Sequence, residues 1–454
     1  MVFGTVGKEV QGTVAVAPEA VHSTLADHVI VDGFHITVDL QKSHDVWMVD
    51  AATGKEYLDC YSYFASLALG HNHPKMFEPD FLEKLQTAAV ANPTNSDVYC
   101  TLYAEFVDRF AALAVPPVFK HLFFIAGGAP AVENALKCAF DWKVRKNLAA
   151  GRGERGKKVI YFDEAFHGRT GYALSCTHTS GVKIDYYPRL DWPMAPNPKL
   201  RFPVTAEVLE EVSERESEAL EAIEKAIATG GGDIAAIIIE PIQGEGGDNH
   251  FRKEFFQALR KVADENDIML IFDEVQTGCG ATGRMWACEH FGVWPDILVF
   301  GKKTQVCGMM VSERVDEVSE NVFTVSGRIN STWGGNLVDM VRGIRVIETI
   351  KEEGLIERAD EVGKYFVEKL SGLAEGSGGL MSNVRGRGMF IAFDLPDGAT
   401  RDSLLGALLD SGVLALASGA VGVRFRPALV FGKEHVDVVA DAVKAWLGSR
   451  PAVR

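Results

Sequence analysis

The chain has 454 residues, of which 47% are hydrophobic and 24% charged, and its net formal charge is −16. This composition is typical of an ordinary globular protein and excludes disordered, collagen-like and small disulfide-stapled classes. The acidic balance disfavours binding to nucleic acid or anionic membranes, and no apolar run approaches the roughly 20 residues that a membrane span needs. At about 100–200 residues per domain, the length predicts two to four domains.

The N-terminal ten residues and the cysteines bear on the cellular compartment. The first ten residues lack a basic stretch followed by an apolar one, so we expect no export signal. The seven cysteines include no Cys-x-x-Cys pair, and such an odd, unpatterned set favours reduced thiols that are mostly buried. These features predict a cytoplasmic protein. The cysteines stand at positions 60, 100, 138, 176, 279, 288 and 307.

Short strand-like segments at 35–39 and 46–50 open the chain, and the middle then alternates short apolar runs with amphipathic helical patterns. Apolar runs bounded by polar residues are typical of buried strands, and apolar residues at helical spacing predict helices. The predicted strands are 121–126, 159–162, 234–239, 269–272 and 297–300. The predicted helices include 130–146, 254–265 and 337–352, and two further strand-like segments follow at 388–393 and 421–425.

This alternation predicts an α/β fold, with a mainly parallel sheet between helices and a second, smaller α+β domain. We expect residues 76–340 to form the large domain and residues 341–454 the small one. Residues 1–75 are expected to contribute to the small domain, which is then assembled from both ends of the chain.

Three short motifs resemble ligand sites but are weak. The glycines of 151–156 match a dinucleotide-binding loop, yet a predicted helix precedes them and a strand follows, the reverse of the required order. A solvated turn is therefore favoured. Asp273 and Glu274 resemble the acidic pair that holds magnesium in nucleotide hydrolases, but no phosphate loop accompanies them. His71 and His73 lack carboxylate or cysteine partners at metal-site spacing, so no metal is predicted.

Other segments place small, acidic and basic residues at strand ends. Residues 126–130 join a strand to a helix through glycines, whose backbone N–H groups can approach an anion. Glu240 and Asp273 end buried strands, at the sheet edge where active sites of open α/β sheets lie. Lys302 and Lys303 follow another strand, and a lysine there can form an imine with a carbonyl cofactor. Position alone leaves open which of the two lysines does so.

A phosphate-binding turn, an acid and a lysine on neighbouring strand ends fit pyridoxal phosphate chemistry. The lysine holds the aldehyde as an imine, and the aspartate keeps the pyridine nitrogen protonated so that the ring accepts electrons. The order of these features along the chain supports this interpretation, because each feature serves a different end of one cofactor.

Longer stretches resemble the class III (ω-amino acid) aminotransferases of pyridoxal phosphate fold type I, across nearly the whole chain. These are FHGRT at 166–170, EPIQGEG at 240–246, FDEVQTG at 272–278, PDI…GK at 295–302 and STWGGN at 331–336. Stretches 133–143, 247–252 and 301–308 resemble the subgroup that acts on the ε-amino group of L-lysine. The resemblance implies a seven-stranded type of sheet and a homodimer with shared active sites.

The resemblance also implies how the cofactor is held. Lys302 is expected to bind it and later to shuttle a proton, and Asp273 is expected to pair with the pyridine nitrogen. Phe166 would stack on the ring, and Thr332 would reach the phosphate from the partner subunit. The implied cofactor-binding residues are Gly128, Ala129, Phe166, Glu240, Asp273, Gln276, Lys302 and Thr332.

For the substrates, the resemblance assigns Arg169 to the α-carboxylate of the amino donor and Arg424 to that of 2-oxoglutarate. Glu245 is expected to mask Arg424 while a diamino acid is bound, since a free guanidinium would hold the α-carboxylate and present the α-amine instead. Asn330 is placed with the substrate-binding residues. The implied reaction is a ping-pong transfer of the ε-amine of L-lysine to 2-oxoglutarate, giving 2-aminoadipate 6-semialdehyde and L-glutamate.

One departure and two alternatives remain. The phosphate cup, residues 127–131, lacks the hydroxyl that most relatives have, so backbone N–H groups and Thr332 must supply more of the hydrogen bonds to the phosphate.

Lysine and ornithine differ by one methylene, worth only about 1–3 kcal/mol in a pocket, so ornithine or another ω-amine remains an alternative donor. A nucleotide hydrolase built on Asp273, Glu274 and the 151–156 glycines is a remote alternative.

Overall fold

The computed structural model of the chain describes residues 16–450, so the expectation about the N-terminal ten residues lies outside the described part. The strands are β1 (Trp47–Val49), β2 (Glu56–Asp59), β3 (Phe119–Ile125), β4 (Lys158–Phe162), β5 (Met194–Ala195), β6 (Ile234–Ile239), β7 (Ile242–Gln243), β8 (Asn249–His250), β9 (Met269–Asp273), β10 (Ile297–Phe300), β11 (Cys307–Ser312), β12 (Ser382–Arg387), β13 (Phe390–Asp394), β14 (Val413–Leu414), β15 (Leu416–Ser418) and β16 (Gly422–Phe425).

The α-helices are α1 (Val21–Ala26), α2 (Ser62–Ala65), α3 (Pro79–Ala91), α4 (Thr101–Ala114), α5 (Gly128–Ala149), α6 (Gly171–Ser175), α7 (Gly181–Ile184), α8 (Ala206–Gly230), α9 (Lys253–Glu265), α10 (Leu337–Glu352), α11 (Leu355–Glu375), α12 (Gly398–Asp410) and α13 (Lys433–Gly448).

Seven strands form the central sheet, in the order β3-β11-β10-β9-β6-β4-β5. The strands from β10 to β5 are parallel to one another, and β11 is antiparallel to both of its neighbours. Every residue of β6, β9 and β10 is buried, which is expected of a sheet covered by helices on both faces. The predicted α/β fold with a mainly parallel, seven-stranded sheet is confirmed.

Alternate residues of β9 divide the hydrophobic core between the two faces of this sheet. Leu270 and Phe272 belong to the core that also includes the apolar face of α9, whereas Met269 and Ile271 belong to the core that includes α5. This alternation follows from the two-residue period of a strand. Because both faces are apolar, only the ends of the strands are free to carry polar groups.

Two smaller sheets lie outside the central one. Strands β1 and β2 form an antiparallel hairpin near the N-terminal end of the described residues, and β14, from the C-terminal part, pairs in parallel with β2. Strands β12, β13, β16 and β15 form an antiparallel sheet packed against α11. This pairing agrees with a small domain built from both ends of the chain, and the boundaries after 75 and 340 remain predictions.

Most predicted elements are confirmed, several with their bounds, such as β6, β10 and α10. Two predictions were wrong. Segment 35–39 forms only an isolated bridge between Val38 and Asp50. Gly388, predicted at the start of a strand, instead lies in the turn between β12 and β13 at a φ of 54°, a conformation that glycine adopts without strain. Strand β11 was not predicted, because its glycine and methionines give no clear strand pattern.

The weak motifs have structural explanations. The 151–156 glycines lie in the turn between α5 and β4, and Nε2 of His71 lies 3.0 Å from a carboxylate oxygen of Asp59. No group of residues within 16–450 is arranged to hold a metal ion. None of the helices in that range combines the length and hydropathy needed to cross a membrane. All seven cysteines are free thiols, and five of them are buried, as predicted.

Candidate active site

The predicted residues meet at the carboxyl ends of the central strands. The segment after β4 carries Phe166, β6 is followed by Glu240, β9 ends at Asp273, and β10 is followed by Lys302. Strands that run in parallel present these ends at one edge of the sheet. The start of α5 lies at the same edge, because a side chain added at Gly128 would lie 3.1 Å from a methyl group of Val275.

Lys302 and Lys303 differ sharply in their surroundings. Lys302 begins a short 3-10 turn at a φ of 53°, is half-buried, and its amine makes no hydrogen bond within residues 16–450. Burial, together with the neighbouring Arg424 and Arg426, lowers the pKa of Lys302 to about 8. The buried amine of Lys303 instead donates a hydrogen bond to the carbonyl of Ala65, at 2.7 Å. The geometry therefore favours Lys302 as the reactive lysine.

Asp273 is held by a histidine for which the sequence analysis assigned no role. Nδ1 of His167 lies 2.8 Å from Oδ2 of Asp273, and the backbone N–H of Val275 donates to Oδ1 at 3.1 Å. His167 is buried, and its Nε2 has no hydrogen-bond partner within the described residues. The only sequence signal was that His167 lies inside the family-like stretch 166–170.

Glu240 joins two loops of the site through its carboxylate. It accepts the backbone N–H of Phe166 at 2.9 Å and that of Gly244 at 3.1 Å. Burial, together with the nearby Asp273, raises the pKa of Glu240 to about 7. Glu240 therefore fixes the segment that carries Phe166 relative to the one that carries Glu245. Its direct contact with a cofactor remains a prediction.

The phosphate cup, residues 127–131, connects β3 to α5. Gly127 has a φ of 103°, and Gly128 and Ala129 form the first turn of the helix. Backbone N–H groups in a first turn have no acceptor within the helix, and the helix dipole favours an anion there. Gly168 packs so closely on Ala129 that an added side chain would collide with it. The cup is therefore adjacent to the segment that carries Phe166 and His167.

Two buried arginines from β16 and its C-terminal extension reach the site. Nε of Arg426 donates to Oε1 of Gln276 at 3.2 Å, and Arg426 also pairs with the buried Asp248. Arg424 donates to the carbonyl of Gly244 at 3.1 Å, and its Nη2 lies 3.5 Å from Oε2 of Glu245. Nε of Arg424 is buried without a partner in the described chain. Arg424 was predicted from the sequence, whereas Arg426 was not.

The structure leaves three of the predicted residues at the surface. Arg169, Asn330 and Thr332 are exposed, and none of them makes a hydrogen bond or ion pair with another site residue in the part of the chain that is described. Asn330 instead accepts the backbone N–H of Ser331, at 2.8 Å. A single chain therefore brings together the cup, Phe166, Glu240, Asp273, Gln276, Lys302, Glu245 and Arg424.

Comparison with known proteins decides the family, since the Aminotransferase class-III family matches residues 30–447. The chain belongs to the class-III aminotransferases. It is 47% identical to the L-lysine-epsilon aminotransferase of Amycolatopsis lactamdurans over 441 residues, 96% of this chain and 98% of the relative. It is 48% identical to the L-lysine-epsilon aminotransferase of Mycobacterium tuberculosis strain H37Rv over 95% of this chain and 96% of the relative.

The solved structures agree with this assignment. A lysine aminotransferase from M. tuberculosis matches with a TM-score of 0.92 and 48% sequence identity, covering 94% of this chain and 98% of that one. This class-III aminotransferase is therefore an enzyme that depends on pyridoxal phosphate, as its family does.

The nucleotide-hydrolase alternative was wrong. Glu274 is buried and accepts the backbone N–H groups of Ala287 and Cys288, at 2.6 and 2.8 Å, which leaves no acidic pair for magnesium.

The residues of this aminotransferase fit its cofactor. When bound, pyridoxal phosphate supplies an aldehyde that joins an amine and a ring that accepts electrons. The cup offers the N–H groups of Gly128 and Ala129 to a phosphate, and the amine of Lys302, of lowered pKa, has no hydrogen-bond partner among residues 16–450. Asp273, oriented by His167, offers a carboxylate to a ring nitrogen. These groups come from four different segments of the chain, which the strand ends bring to one edge.

Proposed function

We propose that this aminotransferase transfers the ε-amino group of L-lysine to 2-oxoglutarate. The observation that carries the proposal is the position of Glu245 next to Arg424, 3.5 Å from its guanidinium. A carboxylate at this position pairs with the guanidinium that would otherwise bind the α-carboxylate of the substrate. A diamino acid therefore binds with its distal amine towards the cofactor. The 47–48% identity to lysine-epsilon aminotransferases supports the same substrate.

Arg424 also supports 2-oxoglutarate as the acceptor. Its Nε is buried and unpartnered within residues 16–450, so the guanidinium has a donor to spare for an incoming carboxylate. When Glu245 moves away, a further N–H becomes free on the same edge, and a bidentate contact with the α-carboxylate becomes available. In this proposal Arg169 holds the α-carboxylate of the amino donor, and Asn330 contributes to the substrate site.

Lys302 is the residue that moves a proton in this proposal. A pKa of about 8 keeps its charged and neutral forms both accessible near neutral pH, which general acid–base catalysis requires. Phe166 and Gln276 orient the ring and its oxygen, and Asp273 stabilises the positive charge on the ring nitrogen. Products of the two half-reactions are 2-aminoadipate 6-semialdehyde and L-glutamate.

The proposed assembly is a cytoplasmic homodimer with shared active sites. Thr332 and Asn330 are exposed in the single chain, next to the half-exposed Trp333, which is consistent with residues that reach a partner's site. The hydroxyl of Thr332 would donate a hydrogen bond to the cofactor phosphate of the other subunit. It would so replace the hydroxyl that the cup lacks. No nucleic acid, membrane or metal takes part in the proposed reaction.

A different ω-amine is the second candidate donor. The 4-aminobutyrate aminotransferase of Homo sapiens is 33% identical to this chain over 445 residues. The ornithine aminotransferase of Toxoplasma gondii, at 23% identity and a TM-score of 0.78, shares the fold. Since one methylene changes the binding energy by only about 1–3 kcal/mol, the donor must be decided by measurement.

The deciding experiment is an absorbance spectrum of the purified holoenzyme before and after adding L-lysine without a keto acid. We expect the band of the aldehyde-bearing form to be replaced by that of the amine-bearing form, and 2-oxoglutarate to reverse the change. Ornithine and 4-aminobutyrate are tested in parallel and are expected to react more slowly. A spectrum that ignores lysine but responds to either of these amines would reject the proposed substrate.

A further inference from the structure

Lys183, on the short helix α7, contacts the carboxylate on which the substrate switch depends. Its ammonium group forms an ion pair with Oε1 of Glu245, while Oε2 of the same carboxylate faces Arg424. The side chains of Lys183 and Glu245 are 27% and 26% exposed, whereas that of Arg424 is 5% exposed. Glu245 is therefore shared between a buried cation inside the site and a second cation nearer its mouth.

The contact between Glu245 and Lys183 is the closer of the two. Oε2 of Glu245 and Nη2 of Arg424 are separated by 3.5 Å, the outer limit of a hydrogen bond. Lys183 also makes a cation–π contact, since its ammonium lies 5.5 Å from the centre of the Phe166 ring. A cation over an aromatic face is attracted to it, so Lys183 has a second contact that does not depend on Glu245.

We infer that Lys183 is a positioning residue that holds Glu245 when the glutamate leaves Arg424 to admit the carboxylate of the amino acceptor. The inference rests on the proposed function, in which Glu245 masks Arg424 for one half-reaction and releases it for the other. It adds a residue that sets the balance between the two states of this switch.

The physical reason is the charge in the open state. An acceptor with two carboxylates brings negative charge next to Glu245, and like charges at short range repel unless a cation lies between or beside them. Lys183 supplies that cation. Among residues 16–450, Lys183 and Arg424 are the two cations in contact with Glu245. Without Lys183 the glutamate keeps a cation partner only in the masked state, so that state is favoured and the acceptor must compete with the glutamate for the guanidinium.

The first test measures the dissociation constant of glutarate, an unreactive five-carbon dicarboxylate, for the holoenzyme by calorimetry. The Michaelis constant for 2-oxoglutarate is measured alongside it. We expect Lys183→Met to raise both constants about tenfold, the effect of losing one interaction between contacting charged groups. Lys183→Arg keeps the charge and should stay within about twofold of the wild type. Unchanged constants in Lys183→Met would overturn the inference.

A matched control is Lys157, which also pairs with a glutamate, Glu154, but at the surface, where both side chains are more than half exposed. Lys157→Met should leave both constants unchanged, because an exposed pair of this kind contributes little. A tenfold change in this control as well would show that loss of any positive charge weakens dicarboxylate binding, and the inference would fail.

The second test repeats Lys183→Met in a Glu245→Ala background. If Lys183 acts through Glu245, the substitution should have no further effect once the carboxylate is gone. Equal weakening in both backgrounds would mean that Lys183 binds the dicarboxylate itself, and the inference would be wrong. Glutarate binding involves no amine donor, so a failure of L-lysine as donor would reject the proposed function and leave this result independent of it.

Discussion

At the scale of single residues, the two adjacent lysines after β10 differ in role because their amines lie in different surroundings: one is available for the reaction and the other stabilises the fold. The Lys302 amine has no hydrogen-bond partner in the described chain, and its pKa is lowered to about 8. The Lys303 amine donates a hydrogen bond to the carbonyl of Ala65, the last residue of α2, a single left-handed turn in which all four residues (62–65) have positive φ between 42° and 69°. Such a turn is strained and needs support from its surroundings.

Replacing the two lysines should therefore have different effects. Lys302→Ala should lower turnover by about 10²–10⁴-fold or more, because the proton shuttle is lost. Lys303→Met should retain the cofactor's absorbance and most of the turnover. It should lower the free energy of unfolding by about 1–3 kcal/mol, since the Ala65 carbonyl loses its donor. Steady-state rates and denaturant titrations measure both effects. If Lys303→Met abolished turnover and Lys302→Ala lowered only stability, Lys303 would be the reactive lysine.

The pKa of Lys302 predicts the pH dependence of cofactor uptake. Only the neutral amine attacks an aldehyde, and burial together with Arg424 and Arg426 lowers the pKa from 10.5 to about 8. The rate at which the apoenzyme takes up pyridoxal phosphate should thus rise with pH, with a midpoint at about 8. Arg424→Met removes one of the cations that lower this pKa, so its midpoint should lie at higher pH. A midpoint near 10 in the wild type would contradict this prediction.

At the scale of elements, the site depends on loops that follow different strands and are joined by buried polar groups. Glu240, after β6, accepts N–H groups from the segment after β4 and from its own loop. Asp273, at the end of β9, is paired with His167 from the segment after β4. Because a buried N–H without an acceptor is costly, each of these contacts fixes one loop relative to another.

Glu240→Ala should loosen this connection. Two buried N–H groups lose their acceptor, so we expect the free energy of unfolding to fall by about 2–4 kcal/mol and the Michaelis constants of both substrates to rise. Glu240→Gln keeps one acceptor oxygen and should show a smaller loss. Denaturant titrations and steady-state kinetics compare the two variants with the wild type. Equal stability of Glu240→Ala and the wild type would show that the loops do not need this carboxylate.

At the scale of the whole molecule, the single chain contains most of the proposed site but leaves Arg169, Asn330 and Thr332 at its surface. A symmetric dimer places the same surface of each subunit against the other, so one interface completes two sites. The proposed homodimer gives these exposed residues a role, with Thr332 of one subunit serving the cofactor phosphate held by the other.

Mixed dimers test whether the sites are shared. Lys302→Ala and Thr332→Glu should each be inactive as homodimers, since the glutamate repels the phosphate. After unfolding and refolding the two variants together, half of the dimers are mixed, and each mixed dimer has one site without either substitution. We expect recovery of about a quarter of the wild-type activity. No recovery, with mixed dimers shown by mass spectrometry, would place Thr332 in the site of its own subunit.

The sequence by itself determined most strands of the central sheet, the α/β fold and the sheet edge that carries the site. These features follow from apolar periodicity and turn residues, which are local properties of the chain. The stretches at 166–170, 240–246, 272–278, 295–302 and 331–336 also determined the family resemblance, which the comparisons confirmed. Segment 35–39 and Gly388 were misjudged because short strand patterns are ambiguous without their partners.

Only the tertiary structure decided which side chains meet. Asp273 lies 106 positions from His167, Glu245 lies 62 positions from Lys183, and Arg426 lies 150 positions from Gln276. Each pair depends on how separate strands are ordered in the sheet, which local patterns do not specify. The same holds for Lys302 and Lys303, which are neighbours in sequence. The packing of α2 against the segment after β10 decides which amine is bound and which remains free.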